Sequence, residues 1–281
     1  MDHVTPPELV GDAIELAVRK SGLGAGDLLV RGIMAGALLG IATSFAFIAV
    51  AQGLPPLVGA IIFPVGFVML VLSGQELATG NFALLPMGVM AGRVEIGRLL
   101  RNWALVYLGN LIGSLLFAVL CYLSITNWGK ADGGTLAELI RPAAQKKTLG
   151  FMALGASGWG TAFVRATLCN WMVTLGTILS LSSRSTGGKI LAMWLPITTF
   201  FALGYEHSIV NMYVIPTGML LRAPVSIAAW WVWNQIPVTL GNVVSGTLFT
   251  AGPLVFSYYK KPGLVAMEAS TSSKPEIAAA S

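Results

Sequence analysis

Apolar and polar positions fall in long blocks along this chain, not in the short periods of a soluble fold. Apolar stretches, uncharged apart from Arg165, cover residues 33–52, 57–74, 103–125, 161–181, 190–204 and 226–251, and about 20 apolar residues cross a bilayer as one helix. The pattern predicts an all-α membrane protein with six transmembrane helices. Two shorter apolar pieces, 82–91 and 209–221, follow polar interruptions, QELATGN at 75–81 and YEHSIVN at 205–211. Lipid cannot satisfy free backbone N–H and C=O groups, so such an interruption must be enclosed by protein or line a cavity. The second and fifth helices are therefore expected to be broken. Residues 1–28 hold Asp2, Glu8, Asp12, Glu15 and Asp27 and lack the apolar run of a signal peptide. Leu9, Ala13, Ile14, Ala17 and Val18 recur with a helical period and predict an amphipathic helix outside the bilayer, a candidate pH-sensitive lid. The expected domains are this helix (1–28), a transmembrane domain (29–258) and a disordered tail (259–281) of Ala, Ser and charge.

Composition agrees with lipid as the solvent. Of 281 residues, 55% are hydrophobic and 10% charged, where a soluble domain needs roughly a quarter charged. The net charge of +5 is spread between apolar blocks, without the basic-aromatic clusters that would suggest nucleic acid. With the N-terminus inside, the inner segments hold eleven Lys and Arg and the outer ones five, Arg165 unassigned, so both termini are expected in the cytoplasm. Cys121 and Cys169 lie within apolar blocks without CxxC spacing, which suggests neither a disulfide framework nor a zinc site. His207 is the one histidine of the apolar region, His3 lying in the soluble head; a bis-histidine haem or His-rich metal centre within one chain is excluded. No metal or cofactor is expected.

The two halves share a pattern. Gly74, Glu76 and Asn81 recur as Gly204, Glu206 and Asn211 at an offset of 130. Val30-Arg31 recurs at 164–165, and Gly109-Asn110 as Gly241-Asn242. Three spans per half, an odd number, make the second copy enter from the opposite face: an inverted 3+3 repeat. Paired broken helices in such repeats place a substrate path at the midplane, with positive helix N-termini available to an anion. Gly32, Gly36 and Gly40, with Gly109 and Gly113, form small-residue ridges that let helices approach closely.

Few polar groups lie deep in the apolar blocks: Glu76, Thr79, Asn81, Asn110, Asn170, Glu206, His207, Asn211 and Asn242. Ionisable groups at such depth are functional by default. His207 is either a proton-exchanging group or a neutral ring that satisfies backbone at the break. Glu76 and Glu206 could relay protons, but their matched positions point to a structural task, accepting hydrogen bonds from free N–H groups at each break. Asn81, Asn211, Asn110 and Asn242 are read the same way. Thr79 and Asn170 could each offer a neutral donor to a small oxyanion.

The segments GQELATGN, RATLCNWMVTLG, GYEHSIVNMYVIP and VTLGNVVSG, in this order, resemble the signature stretches of the formate/nitrite transporter family, over about residues 8–258. The resemblance implies an aquaporin-like protomer in a homopentamer of the bacterial inner membrane, each protomer with its own pore. Carried over by motif, His207 matches the central pore histidine, Thr79 the threonine of the first break and Asn170 the asparagine of the fourth span. Phe63, Phe67, Leu77, Val173 and Phe200 fall at the apolar constrictions, and Lys146 or Lys147 at the outer approach. Ala78 departs from members with an aromatic there, which implies a wider inner constriction. The implied partners are membrane lipid, protons and a small monovalent anion, formate first, with nitrite and hydrosulfide as alternatives. Rival readings are an intramembrane enzyme using Ser208 beside His207, a neutral-solute channel of the aquaporin kind, whose Asn-Pro-Ala boxes this chain lacks, and a structural subunit.

Overall fold

The computed structural model describes residues 2–259; the expected tail from 260 onward lies outside them. Ten helices follow one another: α1 (Pro6–Ser21), α2 (Ala25–Ala51), α3 (Pro56–Leu72, with a tight turn at Phe63), α4 (Ala78–Met90), α5 (Ile96–Ile125), α6 (Gly134–Met152), α7 (Gly155–Leu179), α8 (Thr186–Ala202), α9 (Ser208–Leu220) and α10 (Ile227–Tyr258). No strand occurs among the described residues, only a single bridge between His3 and Ser183. Helices α2, α5, α7 and α10 are long and apolar enough to cross a membrane, and α3 and α9 are shorter apolar helices.

Helices begin earlier than the apolar blocks suggest, because backbone hydrogen bonding does not stop where hydrophobicity does. Helix α2 starts at Ala25 and α5 at Ile96, several residues upstream of the first uncharged stretch in each. A larger difference lies in the segment between α5 and α7, read from sequence only as an outer stretch. It contains the 19-residue helix α6, whose buried Leu136, Ile140, Ala144 and Thr148 recur with helical spacing. Its charged positions hid that stripe.

Helix α2 packs along α5 and α7 along α10. Glycine makes both contacts possible: a Cβ on Gly36 would meet the Asn110 carbonyl, one on Gly113 the Ile33 carbonyl, and one on Gly241 the Phe163 carbonyl. Helix α10 carries two π-helical turns, Trp231–Gln235 and Ser245–Ala251. Pro237 and Pro253, which lack an N–H, follow each turn and account for the shift in hydrogen-bond register. Large apolar side chains on the outside, such as Leu191 and Leu195, both 73% exposed, suit a lipid boundary better than water.

Helix α1 is docked, not dangling. Leu9, Val10, Ala13, Ile14 and Ala17 are buried against α4 and its surroundings, and each large apolar side chain so buried contributes about 1.5–3 kcal/mol. Thr5 N–H donates to the Glu8 carboxylate (3.0 Å) at the helix start. Asp2 accepts from the Ser183 hydroxyl (2.9 Å) and from the N–H groups of Arg184 and Ser185 (both 2.8 Å). Arg184 pairs with Asp12 and Arg93 with Glu15, both at 2.8 Å. The Ser183 hydroxyl first, then the Ser185 N–H, hold the Asp2 carboxyl below its usual pKa.

A carboxylate with a depressed folded-state pKa stabilises above its unfolded value, about 3.9, and loses that contribution as pH falls through the folded value. Protection of the α1 amides, taken relative to intrinsic exchange at each pH, is therefore expected to be the same at about pH 7.5 and 5.5 and lower at both in Asp2→Asn; loss of protection in the unmodified protein between these values would refute the clasp. Gly113→Ala is expected to lower thermal stability by about 1–3 kcal/mol through overpacking. Gly97→Ala, with nothing within 4 Å of its added Cβ, should leave stability unchanged or slightly raised in the same melting experiment.

Candidate functional site

Helix α3 ends at Leu72 and α4 starts at Ala78; α8 ends at Ala202 and α9 starts at Ser208. Both helices end on a left-handed glycine, Gly74 (φ +69°) and Gly204 (φ +64°). There Gly74 and Gln75 N–H groups return to the carbonyls of Val71 and Leu70, and Gly204 and Tyr205 N–H groups to those of Phe201 and Phe200. These bonds close the carbonyl side of each gap. The restarting helices need acceptors for their first N–H groups, and asparagines from distant helices provide them.

Asn110 Oδ1 accepts from Ala78 N (2.9 Å), while its Nδ2 donates to the carbonyls of Gly32 and Glu76 (both 2.9 Å). Asn242 Oδ1 accepts from Ser208 N (3.0 Å), and its Nδ2 donates to the carbonyls of Ala166 (2.8 Å) and Glu206 (3.2 Å). Around each gap a second set of bonds recurs. Lys20 Nζ donates to Glu76 (2.7 Å), and Asn81 Nδ2 to Glu76 (2.8 Å) and to Asn102 Oδ1 (2.9 Å). Lys147 Nζ donates to Glu206 (3.0 Å), and Asn211 Nδ2 to Glu206 (2.8 Å) and to Asn234 Oδ1 (2.9 Å). The circuits close as Asn102 and Asn234 donate to the backbone carbonyls of Lys20 and Lys147.

This corrects the expected task of the two glutamates. Neither Glu76 nor Glu206 takes a backbone N–H at its gap; each neutralises a lysine and orients asparagines, and Asn110 and Asn242 do the capping. Lys20, Asn102 and Asn234 were missed from sequence. Extending the repeat would have found the asparagines, since Asn102 precedes Asn234 by 132, whereas the 127 between Lys20 and Lys147 falls outside the 130–134 of the other matches.

Leu77 and His207 occupy the equivalent N-cap positions of α4 and α9. His207 Nδ1 accepts from Val210 N (3.2 Å), so its Nε2 carries the proton of the neutral ring, and Nε2 lies 3.1 Å from Thr79 Oγ1. The ring stacks on Phe200 (centroids 5.5 Å apart), and Phe63 meets Phe200 edge-on at 5.6 Å and stacks on Phe201 at 4.1 Å. Asn170 departs from its expected donor role: both Nδ2 hydrogens are committed, to the carbonyls of Thr79 (3.2 Å) and Asn242 (2.7 Å), and Oδ1 has no partner. Its free atom is an acceptor. Val173 is buried on α7 three residues beyond Asn170.

Two cavities flank this centre. One, of about 320 Å³, is lined by Arg19, Lys20, Arg31, Phe67, Glu76 and Leu77 among others. The other, of about 340 Å³, is lined by Lys146, Lys147, Thr161, Arg165, Gly204 and Glu206 among others. Each has three cations and one carboxylate at positions matched between the halves, which makes Arg165 the counterpart of Arg31, an assignment that loop counting could not give. No group of side chains suited to holding a metal occurs among the described residues.

Residues 7–256 match the family model described as formate/nitrite transporter. The chain belongs to the formate/nitrite transporter family. A probable formate transporter of Methanothermobacter thermautotrophicus is 38% identical over 216 residues, 74% of this chain and 77% of that protein. Among solved structures, an FNT family ion channel superposes with a TM-score of 0.76 at 28% identity, over 89% of this chain and 98% of its own. A pentameric formate channel with formate bound gives 0.69 at 28% identity, over 84% and 98%. The all-helical fold is thus that of a membrane channel family.

Within this family member the two asparagine caps carry equal duties. Asn110→Ala and Asn242→Ala each orphan three buried groups at about 1–3 kcal/mol apiece, so both are expected to lower the yield of folded, detergent-stable protein to a similar extent, read by size-exclusion chromatography. A loss confined to one of them would overturn the equivalence.

Proposed function

We propose that this chain is a formate channel or transporter whose six spans form an inverted 3+3 repeat, with α3–α4 and α8–α9 as the two broken crossings. In this reading protomers assemble as a homopentamer in the bacterial inner membrane, both termini are cytoplasmic, and α1 lies on the cytoplasmic face. Support comes from the recurrence of the asparagine caps and of the Lys-Glu-Asn-Asn circuit at both gaps, and from the relatives' descriptions as a formate transporter and a pentameric formate channel.

The observation that carries the mechanism is the buried contact between His207 Nε2 and Thr79 Oγ1, flanked by apolar walls. Taking an anion out of water costs several kcal/mol or more, whereas the neutral acid crosses an apolar constriction readily. Cations in both mouths draw the anion in. Thr79 Oγ1 accepts from Nε2–H, which leaves its own hydroxyl proton to donate to the arriving anion. As the anion arrives, Nδ1 takes a proton from the mouth, Nε2 passes one to Thr79 Oγ1 and Thr79 hands its hydroxyl proton to formate, so that formic acid and a neutral ring result; Asn170 Oδ1 then accepts from the acid O–H, a contact the bare anion could not make. Charging the ring requires Nδ1 to give up the Val210 N–H that caps α9, so the resting ring is neutral and the charged ring lasts only while an anion is at the centre.

His207→Asn keeps an acceptor for Val210 and a donor for Thr79 but cannot titrate. In proteoliposomes it is expected to slow formate uptake about a hundredfold, the low end for positioned acid–base groups, and to abolish its pH dependence. An unchanged rate and pH profile would rule out the relay.

A further inference from the structure

Away from both mouths, a cavity of about 410 Å³ is lined by Tyr122, Lys130, Asp132, Arg141 and Arg222, with backbone from residues near them. Arg141 is locked in place: its Nε donates to the Leu221 carbonyl (3.0 Å) and its Nη2 to the Asp132 carbonyl (2.5 Å). Asp132 Oδ1 is engaged by Gly134 N (3.2 Å). Among the described residues no carboxylate lies within ion-pair distance of Lys130, Arg141 or Arg222. Three cations thus share one cavity with one carboxylate, and none is paired.

Backbone strain gathers at the same place. The non-glycine residues with positive φ among those described are Asn127 (49°), Trp128 (61°) and Arg222 (68°). The first two lie between Thr126 and Gly129, which both line the cavity, and Arg222 lines it directly. A left-handed arginine is costly where glycine would be strain-free, and residues held this way cluster at ligand sites. Depth identifies the ligand. The cavity opens where the apolar helix α5 stops at Ile125, beside Trp128, which is 76% exposed in the manner of tryptophans at the membrane-water boundary.

We propose that this cavity binds the phosphodiester group of an anionic phospholipid, held by Lys130, Arg141 and Arg222, at the end of α5 remote from α1. Basic pockets between membrane helices recognise such headgroups, and arginine's fork matches phosphate oxygens. Free inorganic phosphate offers the same oxygens but would not need a site at this depth.

The test is thermal unfolding of the delipidated full chain in detergent with phosphatidylglycerol, phosphatidylcholine or inorganic phosphate added. Phosphatidylglycerol is expected to raise Tm by several degrees beyond phosphatidylcholine, and Lys130→Gln with Arg222→Gln to remove that difference. Arg222→Gly separates binding from folding: it relieves the left-handed strain, so its lipid-free Tm should equal or exceed that of the unmodified chain while the lipid-dependent rise shrinks. No rise beyond phosphatidylcholine, an undiminished rise in the variants, or the full rise with inorganic phosphate alone would each overturn the proposal.

Discussion

Everything at the centre of this molecule depends on how the backbone between α3 and α4, and between α8 and α9, is satisfied where it is buried. A gap in a helix exposes N–H and C=O groups that hydrocarbon cannot meet. The carbonyl side is closed locally by a left-handed glycine, but on the N–H side the one local side-chain cap is His207 Nδ1 on Val210 N, and the first N–H of each restarting helix is met from a distance. Asn110 and Asn242 reach across from α5 and α10 with one acceptor and two donors each. Side-chain amides suit this duty because they serve both kinds of backbone group without introducing charge. The small-residue contacts of α2 with α5 and of α7 with α10 follow from the same need, since they bring each asparagine within reach of its gap.

Charge is then confined to the rim. Each glutamate sits at its gap with a lysine against it, and His207 lies between them. A phenylalanine face on one side and a threonine hydroxyl on the other leave that ring with a single polar route, through Nε2. Its other nitrogen is part of the scaffold. Fold and chemistry therefore meet in one imidazole, and the helix cap fixes which tautomer faces Thr79.

Much of this was legible in the sequence. The interruptions at 75–81 and 205–211 stood out because polar residues are scarce among apolar blocks, and the paired Glu and Asn positions revealed the recurrence. The partners of those groups were less legible. Lys20 sits in a helix read as lying outside the bilayer, and the burial of its ammonium against Glu76 depends on how α1 docks, which local pattern does not encode. Helix α6 was hidden by its charges, although its apolar stripe has the same spacing that revealed α1. Asn170 was found but given the opposite polarity, because hydrogen-bond direction is set by neighbours that only the fold brings together.

One charge next to the first mouth has no counterpart at the second. Asp27 lies 3.5 Å from Arg31, and the position related to it by the Arg31-to-Arg165 offset is Thr161, which lines the second cavity. The first mouth is therefore electrically softer than the second, although the backbone around both is built alike. With Leu77 standing where the other half has His207, the profile met by an anion is not its own mirror image. The two sides of the centre thus differ in charge and in polarity where their backbones are alike.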